Sequence, residues 1–267
     1  MAQVSVAQDV GRLTGIERLL LALPTFVGLS IGLFPLLLPQ VFASVANFPG
    51  DDVYVYQLTG AATLGYGVAF LLGAIWGDWL AIRLPTFAVL VFNVAAFFVC
   101  VAEIAQGRAP YSVYVVLAPA TIDSILSGVL LYRHRGTPRP PQDLAMGSVR
   151  VFLVVGTLAA GTFGLLPLLV PQLGTLLHLH MNAPFIARQA GAASLGYAVM
   201  TVFAQRSLSS RELRLPIVMA ALFNGMSGIV SVPAILAGDV LLLPWIIAPV
   251  GLAVLVGTLI GLRRTMA

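Results

Sequence analysis

The chain carries the same apolar motifs twice. The segment GLFPLLLPQ at 32–40 corresponds to GLLPLLVPQ at 164–172, and GAATLGYG at 60–67 corresponds to GAASLGYA at 191–198. The two spacings are 132 and 131 residues, so the register between the copies is nearly constant. Internal repeats of this kind are typical of membrane proteins built from two similar halves. The repeat therefore predicts a fold of two related units.

Composition places both units in a membrane. The chain is 59% hydrophobic and only 9% charged, whereas soluble domains carry about 25% charged residues. Eight apolar stretches are long enough to cross the hydrocarbon core, which takes roughly 20 helical residues. They lie at 17–38, 56–77, 84–104, 112–132, 151–170, 186–204, 215–237 and 242–262. Backbone groups in lipid must hydrogen-bond internally, so these stretches are predicted to be helices.

The predicted fold is an all-α, polytopic integral membrane protein with eight transmembrane helices in two parallel four-helix repeats. Since four is an even number, both repeats enter the membrane from the same face. The first repeat is assigned to 1–132, a cytoplasmic linker to 133–149, and the second repeat to 150–267. The outer loops at 40–55 and 172–185 are predicted to form short helices in the membrane interface.

Arginine placement predicts the orientation. All 14 basic residues are arginine, which is typical of a GC-rich bacterial genome. Only Arg108 and Arg188 fall on one side of the predicted spans, and the other twelve fall on the opposite side. Positively charged loops stay in the cytoplasm. The sequence therefore predicts a bacterial plasma (inner) membrane protein with both termini cytoplasmic.

The small residues of the repeated GAATLGYG and GAASLGYA motifs indicate close helix packing, because small side chains let helix backbones approach in lipid. Five polar residues inside the spans are candidates for a ligand site. They are Asp123, Asn93, Asn224, Tyr66 and Tyr197. The two asparagines lie near the middle of the third span of each repeat, within reach of the tyrosines, and interhelical hydrogen bonding is the alternative to a ligand role.

Asp123 is the asymmetric member of this set, since Ala253 stands at its place in the second repeat. It lies near mid-membrane, where a charged carboxylate facing lipid costs at least about 2.5–3.5 kcal/mol. We therefore expect it to face the bundle interior, where it is either protonated or hydrogen-bonded to Thr121, Ser124 or Asn93. Proton coupling, a grip on a polar ligand group and a buried structural acid all remain open.

Enzyme motifs are weak in this chain. The pattern G-x-S-x-G at 28–32 requires a strand-to-helix turn, and G-x-S-G at 225–228 lacks a later histidine. His134, His178 and His180 fall in predicted loops without a ligand cluster. No catalytic residue, metal site or cofactor is predicted.

Each half resembles the DoxX-like group of small four-helix bacterial membrane proteins. The shared elements are an apolar helix ending in Pro35 or Pro167, an interfacial stretch, and then Gly60-Ala61-Ala62 or the Arg188-Gln189-Ala190-Gly191-Ala192 segment. The first half has Gln57 where the second has Arg188. The resemblance implies a fused pair of such units and membership in a membrane complex, since members of the group resemble accessory subunits of membrane oxidoreductases or proteins of unknown role.

Two functional hypotheses follow, and a third is weaker. The first is a non-enzymatic membrane protein, either an accessory or assembly subunit or a binder of a lipophilic molecule such as a quinone, isoprenoid or lipid held between the halves. The second is a secondary transporter with a midplane site at the repeat interface, proton-coupled through Asp123. An intramembrane enzyme lacks a nucleophile–base pair. The expected partners are membrane lipids and other membrane subunits, and not nucleic acid.

Overall fold

A computed structural model describes residues 11–49, 52–143, 146–170, 184–207, 209–237 and 242–266. These residues form helices without a β-strand, which confirms the all-α prediction. The helices are α1 (Gly15–Leu20), α2 (Ala22–Leu37), α3 (Pro39–Val45), α4 (Val53–Trp76), α5 (Trp79–Ala105), α6 (Tyr111–Arg133), α7 (Met146–Leu169), α8 (Pro184–Ser207), α9 (Ser210–Leu236) and α10 (Leu242–Met266).

Seven helical segments of the described chain are long and apolar enough to cross a membrane, and each coincides with a predicted span. The eighth predicted span corresponds to α8, which has the predicted position and 24 residues but is less apolar than the other seven helices. It carries Arg188, Gln189, Gln205 and Arg206. Fourteen of its residues are buried against other helices, the same number as in α4, which is apolar enough to span. The lower hydropathy of α8 therefore comes from these four polar residues and not from its burial.

The short helix α3 confirms the prediction of a short helix at 40–55, while its location in the membrane interface stays a prediction. Pro39 occupies its first turn, where proline is tolerated because the missing N–H has no helical partner. The equivalent prediction at 172–185 lies almost entirely outside the described residues.

The helices pack in corresponding pairs. Within the first half α2 packs on α4 and α5 on α6, and within the second half α7 packs on α8 and α9 on α10. Across the halves α4 packs on α9, and α5 packs on α8. The helices α4, α5, α8 and α9 therefore carry the contact between the halves, while the others pack chiefly within their own half.

Glycines bring the first two spans of each half into backbone contact. A Cβ atom on Gly67 would lie 2.5 Å from the carbonyl carbon of Gly28, and one on Gly164 would lie 2.8 Å from the amide nitrogen of Leu195. A Cβ on Gly191 would lie 2.7 Å from the carbonyl oxygen of Gly164. These contacts confirm that the repeated small residues serve close helix packing.

Two tyrosines link the halves reciprocally. The Tyr66 hydroxyl donates to the carbonyl oxygen of Ala193 at 2.7 Å, and the Tyr197 hydroxyl donates to that of Ala62 at 2.9 Å. The two rings are in contact, with centroids 4.7 Å apart. Tyr197 and Ala193 stand 131 residues after Tyr66 and Ala62. Each half therefore makes the same bond to the other.

We expect Tyr66→Phe and Tyr197→Phe to destabilise the protein equally, because the two bonds are equivalent. The helical carbonyls keep their backbone partners, so each variant loses about 1 kcal/mol and its unfolding temperature in detergent falls by about 2–4 °C. Tyr111→Phe is the control, since Tyr111 is 64% exposed and should leave the temperature unchanged. A large loss in one variant and none in the other would contradict the equivalence.

Charged residues predicted on the same side of the membrane lie together. At one end Arg211 pairs with Asp78 at 2.7 Å, and Arg83 pairs with Glu212. His134 at this end lies 3.1 Å from Glu17. The placement brings the starts of α1, α5 and α9 and the end of α6 to one end of the bundle, while the cytoplasmic location of that end stays a prediction.

The linker is tied to the same end of the bundle. Asp143 accepts hydrogen bonds from the hydroxyl and the backbone N–H of Ser210, at 2.5 and 2.7 Å. These bonds lower the pKa of the Asp143 carboxyl below its usual value.

At the opposite end of the bundle Glu103 is buried and pairs with Arg188 at 2.9 Å and Arg108 at 3.2 Å.

Candidate ligand cavity in the first half

A cavity lies among the helices of the first half. Its wall is formed by α2 to α6, and Ile186 and Gln189 of α8 also line it. Most of the wall is aliphatic or aromatic. The apolar members include Val27, Ile31, Phe42, Phe48, Phe70, Val89, Phe92 and Val116. A concave, mostly apolar space with a few polar groups is the usual form of a small-molecule site.

Asp123 of α6 lines this cavity and is 4% exposed. Its Oδ1 atom makes no hydrogen bond within the described chain. The expected bonds to Thr121, Ser124 and Asn93 are wrong. Thr121 donates to the carbonyl of Leu117 at 2.8 Å, the Asn93 amide donates to a carbonyl of its own helix, and Ser124 Oγ is also unpartnered.

The structure brings together three of the five predicted site residues. Asn93 and Tyr66 line the cavity with Asp123, whereas Asn224 and Tyr197 do not. The Asn224 amide donates to the carbonyl of Ala220, one turn earlier, at 2.9 Å. The cavity therefore belongs to the first half, and the predicted grouping of Asp123, Asn93 and Asn224 at the interface of the halves is not observed.

Gln189 is a polar wall residue that the sequence analysis did not single out as a site. It is 6% exposed, its Nε2 atom lies 3.6 Å from Cys100 Sγ, and its Oε1 atom makes no hydrogen bond among the described residues. Leu58 stands at the corresponding position of the first half. The sequence could have indicated Gln189 as a site residue, because glutamine replaces leucine at this position. A polar side chain buried among packed helices requires a hydrogen-bond partner.

The two halves differ in the packing of their last two helices. In the second half a Cβ on Gly251 of α10 would lie 2.5 Å from the carbonyl oxygen of Asn224 on α9. Gly228 of α9 lies against Leu252 in the same seam, with a Cβ distance of 3.2 Å. Thr121 and Phe97 stand at the corresponding positions of the first half.

The rejected enzyme motifs lie within helices. The G-x-S-x-G segment at 28–32 lies inside α2, and the G-x-S-G segment at 225–228 lies inside α9. Neither segment forms the strand-to-helix turn of a nucleophile elbow. Within the described residues, no three His, Cys, Asp or Glu side chains lie close enough to hold a metal ion. His178 and His180 lie outside those residues.

No family model matches this sequence, and neither a curated protein nor a solved structure matches it. The resemblance to the DoxX-like group stays a prediction.

Proposed function

We propose that the chain spans the membrane as eight helices in two parallel four-helix halves, with α8 as the remaining span. A helix of 24 residues is about 36 Å long at 1.5 Å per residue, longer than the roughly 30 Å hydrocarbon core. The paired helix contacts and the reciprocal tyrosine bonds support this arrangement. In it, the polar ends of α8 reach the two interfaces and its middle is covered by protein.

We propose further that the protein binds a lipophilic small molecule in the first-half cavity. The observation that carries this proposal is an apolar cavity whose wall holds a buried, unpartnered carboxyl oxygen. The apolar wall favours the hydrocarbon part of a ligand, and Asp123 provides one fixed polar contact that selects its head group. A polar atom buried without a partner is costly, so a ligand group that bonds it stabilises the folded protein.

The experiment is to fill the cavity with a bulky side chain. In Val116→Trp the indole occupies the cavity, and the control Ile125→Trp places the same group at a residue of α6 that is 61% exposed. Each variant is extracted in mild detergent and analysed by native mass spectrometry. We expect a lipophile to co-purify with the wild type and with Ile125→Trp, and to be lost from Val116→Trp. Equal retention by both variants, or an empty wild type, would contradict the proposal.

A secondary transporter is the second candidate, and the same buried acid favours it. A protonatable group facing a cavity inside a membrane is typical of proton-coupled carriers. The test is proton flux in liposomes driven by a gradient of the co-purified molecule. Loss of that flux in Asp123→Asn, with binding retained, would establish transport, and an absence of flux in the wild type would leave a binding protein. The accessory role that the DoxX-like resemblance implies stays a prediction.

A further inference from the structure

We infer that the first-half cavity opens sideways into the bilayer between α2 and α6, so that its ligand is a molecule dissolved in the membrane and not one taken up from water. This inference rests on the proposed function, since it names the source of the bound molecule and the path by which it enters. It follows from which sides of the cavity the described helices close.

The helices pack in two rows, and α2 and α6 stand at the same end of these rows. One row consists of α2, α4, α9 and α10, and the other of α6, α5, α8 and α7. The inner helices α4, α5, α8 and α9 hold the rows together, whereas α2 and α6 touch one another only slightly. The cavity lies between the rows at this end. Among the described helices, α2 and α6 therefore form its border toward the surroundings.

The exposure of the wall residues marks this border as the open side. Val27 of α2 and Val116 and Pro119 of α6 line the cavity and are half-buried. The wall residues of α4, α5 and α8 are buried, apart from Thr59 and Phe92. We call the gap between Val27 and Pro119 the lateral cleft.

Aliphatic side chains continue from the lateral cleft to the outer surface of the bundle. Leu23 lies one turn before Val27 and is 37% exposed, and Ile122 lies one turn after Pro119 and is 45% exposed. Residues three or four apart share one face of a helix. On both helices an apolar surface therefore leads from the outside of the bundle to the cavity.

The lateral cleft lies at the depth of the lipid tails. Ile122 is the central residue of the 23-residue helix α6. Half the length of this helix is about 17 Å at 1.5 Å per residue, which places Ile122 near the middle of a hydrocarbon core about 30 Å thick. A molecule that passes between α2 and α6 at this depth comes from the acyl chains.

The end of the bundle that carries Glu17 is closed to water. Leu21, at the start of α2, and Leu130, near the end of α6, are 0% and 1% exposed and belong to one packed core. Beyond them Glu17 pairs with Arg133 at 3.4 Å and with His134 at 3.1 Å. These contacts tie the start of α2 to the end of α6.

Aromatic side chains close the opposite end. Phe42 of α3, Phe48 and Tyr56 of α4 line the cavity and are buried. The rings of Phe42 and Phe48 are stacked with centroids 4.9 Å apart, and Phe48 also lies against Phe185 of α8 at 6.3 Å. A path from water at this end would have to displace these rings.

The experiment measures which reagents reach the cavity wall. Val116→Cys is labelled with a nitroxide and reconstituted in nanodiscs, and its collisions with oxygen, which concentrates in lipid, and with Ni-EDDA, which stays in water, are measured by EPR power saturation. Ile125→Cys, at a residue that is 61% exposed on α6, is the lipid reference, and Gly136→Cys, in the exposed turn after α6, is the water reference. We expect the oxygen accessibility at residue 116 to approach that at 125, with no measurable Ni-EDDA accessibility. The wild type treated with the same reagent is the blank, because Cys100 is buried.

A second pair of substitutions tests the path. Val27→Trp places an indole at the α2 border of the lateral cleft and should lower the oxygen accessibility of the label at residue 116. Phe26→Trp, at a residue of the same helix that is 70% exposed, should leave it unchanged. Pro119→Cys provides a second label site on the same wall if Val116→Cys does not fold, and elution and unfolding temperature check each variant.

The outcomes separate the two proposals, since the label reports without a ligand. Ni-EDDA accessibility on the wall would show a path from water, and accessibility to neither reagent would show a sealed cavity; each result would overturn the lateral cleft. Equal oxygen accessibility in Val27→Trp and Phe26→Trp would also overturn it. An open lateral cleft in a protein that retains no lipophile would instead contradict the proposed function alone.

Discussion

Gly67→Leu is expected to abolish folding of the first half. A Cβ atom at this position would lie 2.5 Å from both the carbonyl carbon of Gly28 and the amide nitrogen of Leu29. These are backbone atoms of α2, so no side-chain rotation can relieve the clash. The two helices would have to separate along their whole seam, and lipid offers no hydrophobic drive to bring them back. We expect a loss above about 3 kcal/mol, at the upper end for overpacked sites.

The measurement is the folded fraction and the unfolding temperature in detergent, by fluorescence-detected size-exclusion chromatography. A loss of this size lowers the temperature by on the order of 10 °C or removes the monodisperse peak. Gly128→Leu is the matched control, because a Cβ on Gly128 of α6 meets no atom within 4 Å. A Gly67→Leu protein as stable as the Gly128→Leu protein would show that α2 and α4 do not touch at their backbones.

Sequence alone was sufficient for seven of the apolar helices, because each run must be long enough for the hydrocarbon core. These seven runs agree with helices that end within a few residues of the predicted bounds. The same rule is weak for α8. Its lower hydropathy comes from polar residues near its two ends, Arg188, Gln189, Gln205 and Arg206. Burial is not the cause, since α4 has as many buried residues and is still apolar enough to span.

The candidate site was only partly predictable. Asp123 stood out because a carboxylic acid at mid-membrane requires an interior surface, and the structure places it on a cavity wall. Asn224 does not line that cavity, and its amide donates to the carbonyl of Ala220 on its own helix. Gln189 does line it, and the sequence marks this residue only by the exchange of leucine for glutamine between the halves. A cavity wall depends on which side chains the packed helices bring together, and apolar periodicity does not specify this.

The buried ion pair between Arg83 and Glu212 is expected to be the most sensitive polar contact between the halves. Arg83 lies on α5 and Glu212 on α9, and their side chains are 14% and 0% exposed. Arg83→Leu would remove the cation paired with the buried Glu212 carboxylate and leave Arg139 as its remaining electrostatic partner. Breaking a buried pair in this way costs about 3–5 kcal/mol, and the unfolding temperature should fall by on the order of 10 °C.

Removing both charges tests the cause of that loss. In Arg83→Leu with Glu212→Leu no uncompensated charge remains, and apolar replacement of a buried pair is often neutral, so most of the lost temperature should return. Arg211→Leu is the control, since its pair with Asp78 also joins the halves but is 43% and 22% exposed, and exposed pairs contribute less than about 1 kcal/mol. A double variant no more stable than Arg83→Leu would mean that Arg83 stabilises the interface by packing and not by neutralising Glu212.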